Sequence, residues 1–582
     1  MTSLRVGVDI GGTFTDFALL DEDTGRVRTL KYPSDRERPA APVLGGLETM
    51  LAGDGPRPAI GHFSHGTTLA VNTLLEHDGA RTALLVTRGL RDLLYIGRHR
   101  LPDIFNFFTA MPRQLVRRAH VVEVDERVLA DGSVARPVSP ETLDAITAQV
   151  AALRVDAVAV AFLHSYRNHA NEQAVRAHLA ETLPGLYVSL SSEIWPQMRE
   201  YERALVTVMN AYVGRRMQGY FGDLEAGLSS RFALDSPVLS TKSNGGVMTV
   251  AEAAARPTET LMSGPASGVI GAAFVAAAAG SSKVVTLDMG GTSTDVSIVD
   301  GEARYSTENQ VGPFPVIMPA VDVTSIGAGG GSIASLDGFG VLKVGPESAG
   351  ARPGPAAYGL GGDRPTLTDA FVCLGIIAEG PIADGRVEIR RDRAEAAVGG
   401  LARALGAGLE ETAENIVRIA TSQIYATLVP LLARKGVDYH DFALLPFGGA
   451  GPMHGLLVAR DIGFRRAIVP AHPGVLCAVG ALVADMRRDF VRTVHRSFPV
   501  GGGEEVLAAM REVFGALEAE GAAWLAAQGV AAGRRRFRRI AEMRYGGQSF
   551  EIAVELGPED LAAGAAALTE RFHREYARTY GE

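Results

Sequence analysis

The chain has 582 residues, 47% apolar and 21% charged, and a net charge of −9. That length accommodates roughly three to five domains or subdomains, and the composition is that of a soluble globular protein with ample core. The negative balance argues against a general nucleic-acid or anionic-membrane binder, and two cysteines, Cys373 and Cys477, supply neither a disulfide framework nor zinc spacing.

In chain order, Val6 to Leu20 comes first, VGVDIGGTFTDFALL. Period-two apolar runs flank a Gly-Gly pair, which predicts strand, tight turn, strand. Glycines let backbone approach a ligand closely, and N–H groups in such a turn form an anion-binding concavity. A turn at Asp21–Gly25 and a strand RVRTLKY follow. Ser64-His65-Gly66-Thr67-Thr68 lies where a strand hands over to a helix near Leu69, so His65 and Thr67 are candidate substrate contacts. Arg98 or Arg100 is a candidate to orient a substrate carboxylate or carbonyl. Alternating strands and helices continue to Ser191, and Arg199–Gly219 is expected to be a long helix joining two halves. Gly264–Gly280 is too short and small-residued for a membrane span, and the N-terminus enters a strand at once without a signal-peptide pattern. A cytoplasmic protein with no membrane or nucleic-acid partner is expected.

Val284 to Val299, VVTLDMGGTSTDVSIV, repeats the first motif. Asp9, Asp16, Asp288 and Asp295 would repel bare phosphate, so the pair of turns calls for a cation between them. Mg²⁺ or another divalent metal held by Asp9 and Asp288 meets that need. The four aspartates are the catalytic candidates, Asp16 and Asp295 as outer groups or as a base. Gly11, Gly12, Thr13, Thr15, Gly290, Gly291, Thr292 and Thr294 are expected to grip phosphate. Gly329 and Gly330 sit in a flexible loop of phosphate size that fits neither a dinucleotide fingerprint nor a P-loop. Gly448, Gly449 and Gly451, in a strand–turn–helix, would admit a ribose or base. Val344–Ala370 is too Gly/Pro-rich for regular structure and too long for a passive linker. The fold class expected is α/β: two related halves, which resemble actin/ribonuclease-H-like ATPase halves with ATP between them, plus a small α+β C-terminal domain. The expected boundaries are 1–195, 196–500 and 501–582.

The two Asp-x-Gly-Gly-Thr turns and the late Phe-Gly-Gly-Ala-Gly-Pro resemble the ATP-binding core of actin, sugar kinases and heat-shock chaperone ATPases. SHGTTLAVNTLLE, EYERALVTVMNAYV, SNGG, MSGPA, IGAGGGSIA, VGPESAGARPGPAAYGLGG and MRYGGQSFEI narrow the resemblance to the hydantoinase A / oxoprolinase family. The resemblance implies ATP-dependent hydrolysis of a cyclic amide such as a hydantoin or oxoproline. In relatives it implies ATP-dependent ketone carboxylation, usually with a B-type hydantoinase subunit in a hetero-oligomer. A non-catalytic, ATP-switched binding protein is the rival from another class. Three departures stand out. Thr324 replaces a frequent His, Ala357 replaces a frequent Cys, and the chain stops at Glu582, short of the family's expected length.

Overall fold

The structure, a computed structural model, describes residues 4–52, 58–99, 103–109, 111–382, 385–499 and 502–581. Arg100 and part of the expected boundary at 501 lie outside the described residues.

The first motif folds as expected into antiparallel strands Leu4–Ile10 and Phe14–Asp21. They occupy the middle of a six-stranded sheet in the order 247–249, 238–241, 60–67, 4–10, 14–21, 27–33. Alternation sends Val6, Val8 and Ile10 into a core with Val43, Leu44 and Leu47 of helix Ala40–Met50 and the inner face of helix Glu200–Arg231. That long helix therefore does not join the halves. It belongs wholly to the first, as do the strands at 238–249, so the first unit extends past 195 to about residue 262. A four-stranded parallel sheet (187–190, 157–161, 82–87, 121–124) is inserted in this half. Its two central strands, 157–161 and 82–87, are buried on both faces, and it has a separate core around Leu85, Val158 and Phe162.

The second motif builds strands Lys283–Met289 and Thr294–Asp300 in a five-stranded sheet, with Ala443–Phe447 parallel on one side and Val323–Ile326 antiparallel on the other. Val285, Leu287 and Met289 face a helical core that includes Leu409–Arg434. Among the described residues, that helix is the one long and apolar enough to cross a membrane, but Ile416, Ala420, Ile424 and Leu428 are buried in this core. The Gly/Pro-rich segment gains its order from one carboxylate. Buried Asp369 accepts from the N–H groups of Ala356 (3.3 Å), Ala357 (2.7 Å) and Thr366 (2.8 Å) and from the Thr366 hydroxyl (2.7 Å). Residues 504–580 form a small α+β unit whose hairpin, Arg539–Met543 and Ile552–Leu556, packs with the flanking helices around Leu507, Val554 and Leu568. Ion pairs Arg199–Glu551 and Arg538–Glu302 tie it to both halves.

Candidate functional site

The two Gly-Gly turns close identically. Gly11 N–H donates to Phe14 O and Gly290 N–H to Ser293 O, each at 3.0 Å. The register then pairs Asp9 with Asp16 and Asp288 with Asp295. None of the four turn glycines has a positive φ, so the turn itself does not need them. A Cβ on Gly12 or Gly291 would meet no atom within 4 Å. Their missing side chains leave the tips bare toward open space, where a ligand would approach.

Each turn is braced from behind, and this divides the threonines. Thr13 and Thr292 are exposed at the tips. Thr15 and Thr294 are buried with their hydroxyls engaged, which removes them from phosphate contact. Thr15 meets Ser34 Oγ at 3.1 Å, and that hydroxyl donates to Gly11 O at 2.8 Å, while Thr294 Oγ1 donates to Ala328 O at 2.5 Å. Gly329 and Gly330 likewise brace rather than grip. Gly329 N–H donates to Ser332 Oγ (2.9 Å), and Gly330 and Gly331 N–H donate to the carbonyls of Gly290 (3.0 Å) and Gly291 (2.7 Å). A Cβ on Gly329 would lie 2.8 Å from Gly291 O, so the loop is glycine-rich because it is pressed against the turn.

Two helices join the turns across the molecule. Helix Ser263–Ala278 covers the second sheet, yet its first turn reaches the first motif: Ser263 Oγ donates to Thr67 O at 3.1 Å, and a Cβ on Gly264 would sit 3.6 Å from Asp9 Oδ1. Helix Leu476–Val483 covers the first sheet through Ala478 and Leu482, yet Cys477 at its start lies with Sγ 3.7 Å from Asp288 Oδ2. Each helix thus begins at the other half's aspartate, and two helix N-termini, which favour anions, point into the space between the turns. Where the helices cross, small residues bring backbone onto backbone. A Cβ on Gly480 would fall 1.7 Å from Ser267 O, and one on Gly271 would fall 2.6 Å from Leu476 O.

Burial pushes the carboxyls of Asp9 and Asp288 up to about 7. Asp16 adds to the shift at Asp9, and Asp295 and then Asp9 add to that at Asp288. Asp9 Oδ1 and the Thr241 hydroxyl beside it are enclosed with no hydrogen-bond partner. The outer carboxylates differ. Asp16 pairs with Lys31 at 2.6 Å and Asp295 accepts from Ser325, each across the next strand in register. Among the described residues no cluster of three or more His, Cys, Asp or Glu surrounds a metal position. The donor set fits an ion held by one or two carboxylates, with water and phosphate oxygens completing the shell, which is how Mg²⁺ is usually bound.

Gly448 has φ 83°, and a Cβ there would come within 2.3 Å of Asp288 Oδ1, so only a residue without a side chain lets the backbone pack this closely against that carboxylate. Gly449 is open, whereas Gly451 is buried at the start of helix Gly451–Ile462. The three substrate candidates are drawn elsewhere. His65 points away from the turns into Phe63, Tyr220 and Phe221, fully buried, and burial depresses it to about 4. The Thr67 hydroxyl accepts from Leu69 N–H at 3.1 Å and starts the next helix. Arg98 is held bidentately by Glu202, at 2.8 and 2.6 Å. Sequence reading missed Lys31, Thr241, Gly264 and Cys477. The MSGPA block and the small-residue run after Val475 were the available signals for Gly264 and Cys477.

Residues 5–183 match the family described as the hydantoinase/oxoprolinase N-terminal region, and residues 203–490 match hydantoinase/oxoprolinase. The chain is 34% identical to caprolactamase subunit alpha of Pseudomonas jessenii over 98% of its length and 83% of that protein. It superposes on the crystal structure of the ATP-dependent caprolactamase from that organism with a TM-score of 0.82, covering 99% of this chain and 84% of that one. It is 31% identical to 5-oxoprolinase 1 of Arabidopsis thaliana, over 98% of this chain and 48% of that one. A nucleotide-free acetone carboxylase structure is similar with a TM-score of 0.79 and 25% identity, covering 100% of this chain and 85% of that one. These matches agree with an α/β, actin-like ATPase fold, and the chain belongs to the hydantoinase/oxoprolinase family.

Proposed function

We propose that this chain is the ATP-using subunit of an amidohydrolase that opens a cyclic amide: a hydantoin, oxoproline or related lactam. The carrying observation is the pair of opposed aspartates, Asp9 and Asp288, each enclosed, each raised by burial and then by neighbouring carboxylates, and each facing a helix N-terminus between two bare turns. A ring amide carbonyl is a poor electrophile because of resonance. Transfer of the ATP γ-phosphoryl to its oxygen forms one P–O bond as the bond to ADP breaks. Water then adds at the carbon, the ring C–N bond opens as the nitrogen takes up a proton and leaves an acyl phosphate, and a second water splits this into the carboxylate and phosphate. Such transfer depends on positioning and charge neutralisation more than on covalent help from protein. The N–H groups of the turns and the Thr13 and Thr292 hydroxyls position phosphate, and Asp9 and Asp288 would hold Mg²⁺, which neutralises phosphate charge when bound.

A second reading, a ketone carboxylase subunit, is supported by the likeness to acetone carboxylase and by relatives that are acetophenone and acetone carboxylase subunits. Both readings include a B-type partner in a hetero-oligomer, since those relatives and caprolactamase alpha are subunits. Phe105, Phe107 and Phe108, 90%, 102% and 94% exposed on one loop, supply an apolar patch of the kind that marks protein contacts.

The test is ADP release by the chain, alone and with its B-type neighbour, on hydantoin, 5-oxoproline and ε-caprolactam, and on acetone or acetophenone with bicarbonate. Stimulation by a cyclic amide is expected. Stimulation confined to the ketones would move the chain to the second reading, and no turnover with any of them would refute both.

A further inference from the structure

Asp9, Gly66 and Thr241 form one row across three neighbouring parallel strands. Asp9 pairs with Gly66, and Ser240 pairs with His65, so the next residue, Thr241, falls beside Gly66. In-register neighbours send their side chains to the same face of a sheet, with strands about 4.8 Å apart. Gly66 has no side chain, and Asp9 and Thr241 lean over it from either side. A Cβ on Gly66 would lie 2.7 Å from Asp9 Oδ1 and 3.1 Å from Thr241 Oγ1. Beyond its own chain neighbours, the next nearest atom is Asp9 Cγ at 3.8 Å. Helix Ser263–Ala278 roofs the row, with the Cβ position of Gly264 3.6 Å from Asp9 Oδ1.

The row is shut off from solvent. Thr241 is 1% exposed, and neither its hydroxyl nor Asp9 Oδ1 has a hydrogen-bond partner among the described residues. Enclosed oxygens of this kind are costly unless bonded, and buried water commonly supplies the bond. The two distances at Gly66 put both oxygens within reach of one bridging water. Asp9 as a residue is partly exposed while Oδ1 is enclosed, so its accessible side is turned away from Gly66.

The second motif solves the same problem differently. Gly448 follows Phe447, the partner of Asp288, and so stands to Asp288 much as Gly66 stands to Asp9. Its Cβ position is 2.3 Å from Asp288 Oδ1 and 2.6 Å from Met289 O, so backbone fills the space there. The Cys477 thiol donates to Oδ2 at 3.7 Å. Asp288 is steadied by protein atoms in direct contact, whereas Asp9 faces a gap with a hydroxyl on its far side.

We propose that Thr241 is the positioning residue of Asp9: its hydroxyl and one water seated over Gly66 hold Oδ1 and aim the accessible side of the carboxylate at a divalent cation. This rests on the reading of Asp9 as a metal-holding group and adds the partner that orients it. Outer partners of metal-binding carboxylates typically change metal affinity tenfold to a hundredfold.

The readout is the gain in affinity for a non-hydrolysable ATP analogue on going from EDTA to Mg²⁺, measured calorimetrically on the full chain. It requires neither turnover nor substrate. Thr241→Val keeps the shape and removes the hydroxyl, so the Mg²⁺-dependent gain should fall about tenfold or more, with the affinity in EDTA unchanged within about twofold. Thr241→Ser restores the hydroxyl and should keep the gain within about threefold of the parent. Gly66→Ala puts a methyl group where the water would sit and should lose the gain as Thr241→Val does. Thermal melting in EDTA identifies a variant that has lost its fold. A folded Thr241→Val or Gly66→Ala with the parent's gain, or a Thr241→Ser that falls as far as Thr241→Val, would overturn the proposal and leave the metal assignment standing. A parent with no Mg²⁺-dependent gain would strike the metal reading of Asp9, and the proposal with it.

Discussion

Asp9→Asn should stabilise the empty chain and disable the loaded one. In the absence of metal and nucleotide, burial and then the Asp16 charge push the Asp9 carboxyl up to about 7, with Lys31 opposing. The unfolded chain ionises this group near the ordinary aspartate value of about 3.9. The folded state therefore holds the proton more tightly. The full stability is present below that value, falls as pH rises through about 7, and is lowest above it. At about 1.4 kcal/mol per unit, a shift of roughly three units gives an upper bound of about 4 kcal/mol at pH 8, reduced to about half by local relaxation and water penetration. Asparagine cannot ionise, but its enclosed amide costs about 1 kcal/mol. The expected result in EDTA is a variant more stable than the parent by about 1 kcal/mol at pH 8, with no gain at pH 5, read from urea denaturation at both values. Adding Mg²⁺ and an ATP analogue should stabilise the parent through binding linkage and leave the variant where it was. A variant less stable in EDTA at pH 8, or one equally stabilised by the analogue, would refute the assignment of Asp9.

Gly448→Ala should reduce ATP turnover at least tenfold and lower the melting temperature, because the new methyl falls on Asp288 Oδ1 at a φ of 83°. Gly12→Ala and Gly291→Ala should melt within a degree or two of the parent yet bind the ATP analogue more weakly by calorimetry, since nothing in the protein lies within 4 Å of the added carbon. His65→Phe should leave substrate KM unchanged. Because His65 is depressed by burial to about 4, its share of stability is lost as pH falls from 6.5 toward that value, and the variant should show a shallower acid loss in denaturation series.

The paired turns and the alternation of strand and helix were legible because each is set by a local period or a doubled motif. His65 was misplaced although alternation alone could have corrected it. It is adjacent to Gly66, which borders Asp9, so its side chain belongs to the opposite face. Thr15 and Thr294 resemble phosphate donors until Ser34 and Ala328 are seen behind them, and neither brace belongs to the repeated motif. Arg98 was offered as a substrate contact because its partner Glu202 lies 104 residues away. The boundary at 195 failed for the same kind of reason. Strand Val238–Thr241 pairs with Ile60–Thr67, and periodicity identifies a strand without saying which sheet receives it.

The exchange of helices between the halves also affects the order in which the chain can fold. The face of the first sheet that carries Arg5, Gly7 and Ser64 is closed by residues 478–482, with Ser64 Oγ donating to Ala481 O at 2.5 Å and Arg5 to Leu482 O at 3.2 Å. During synthesis that face must wait while roughly 400 more residues are added, some 20 to 80 seconds at ribosomal rates. In the interval the inserted parallel sheet and most of the Val6–Val8 core can consolidate, because all partners of the sheet and most of those of the core lie before residue 262, and Val311, Phe314, Val316 and Met318 join the core later. The space between the aspartates cannot take shape until the second half has emerged and its last helix has turned back. The cleft between the two motifs thus forms only after both halves have emerged, and its completion reports that both are present.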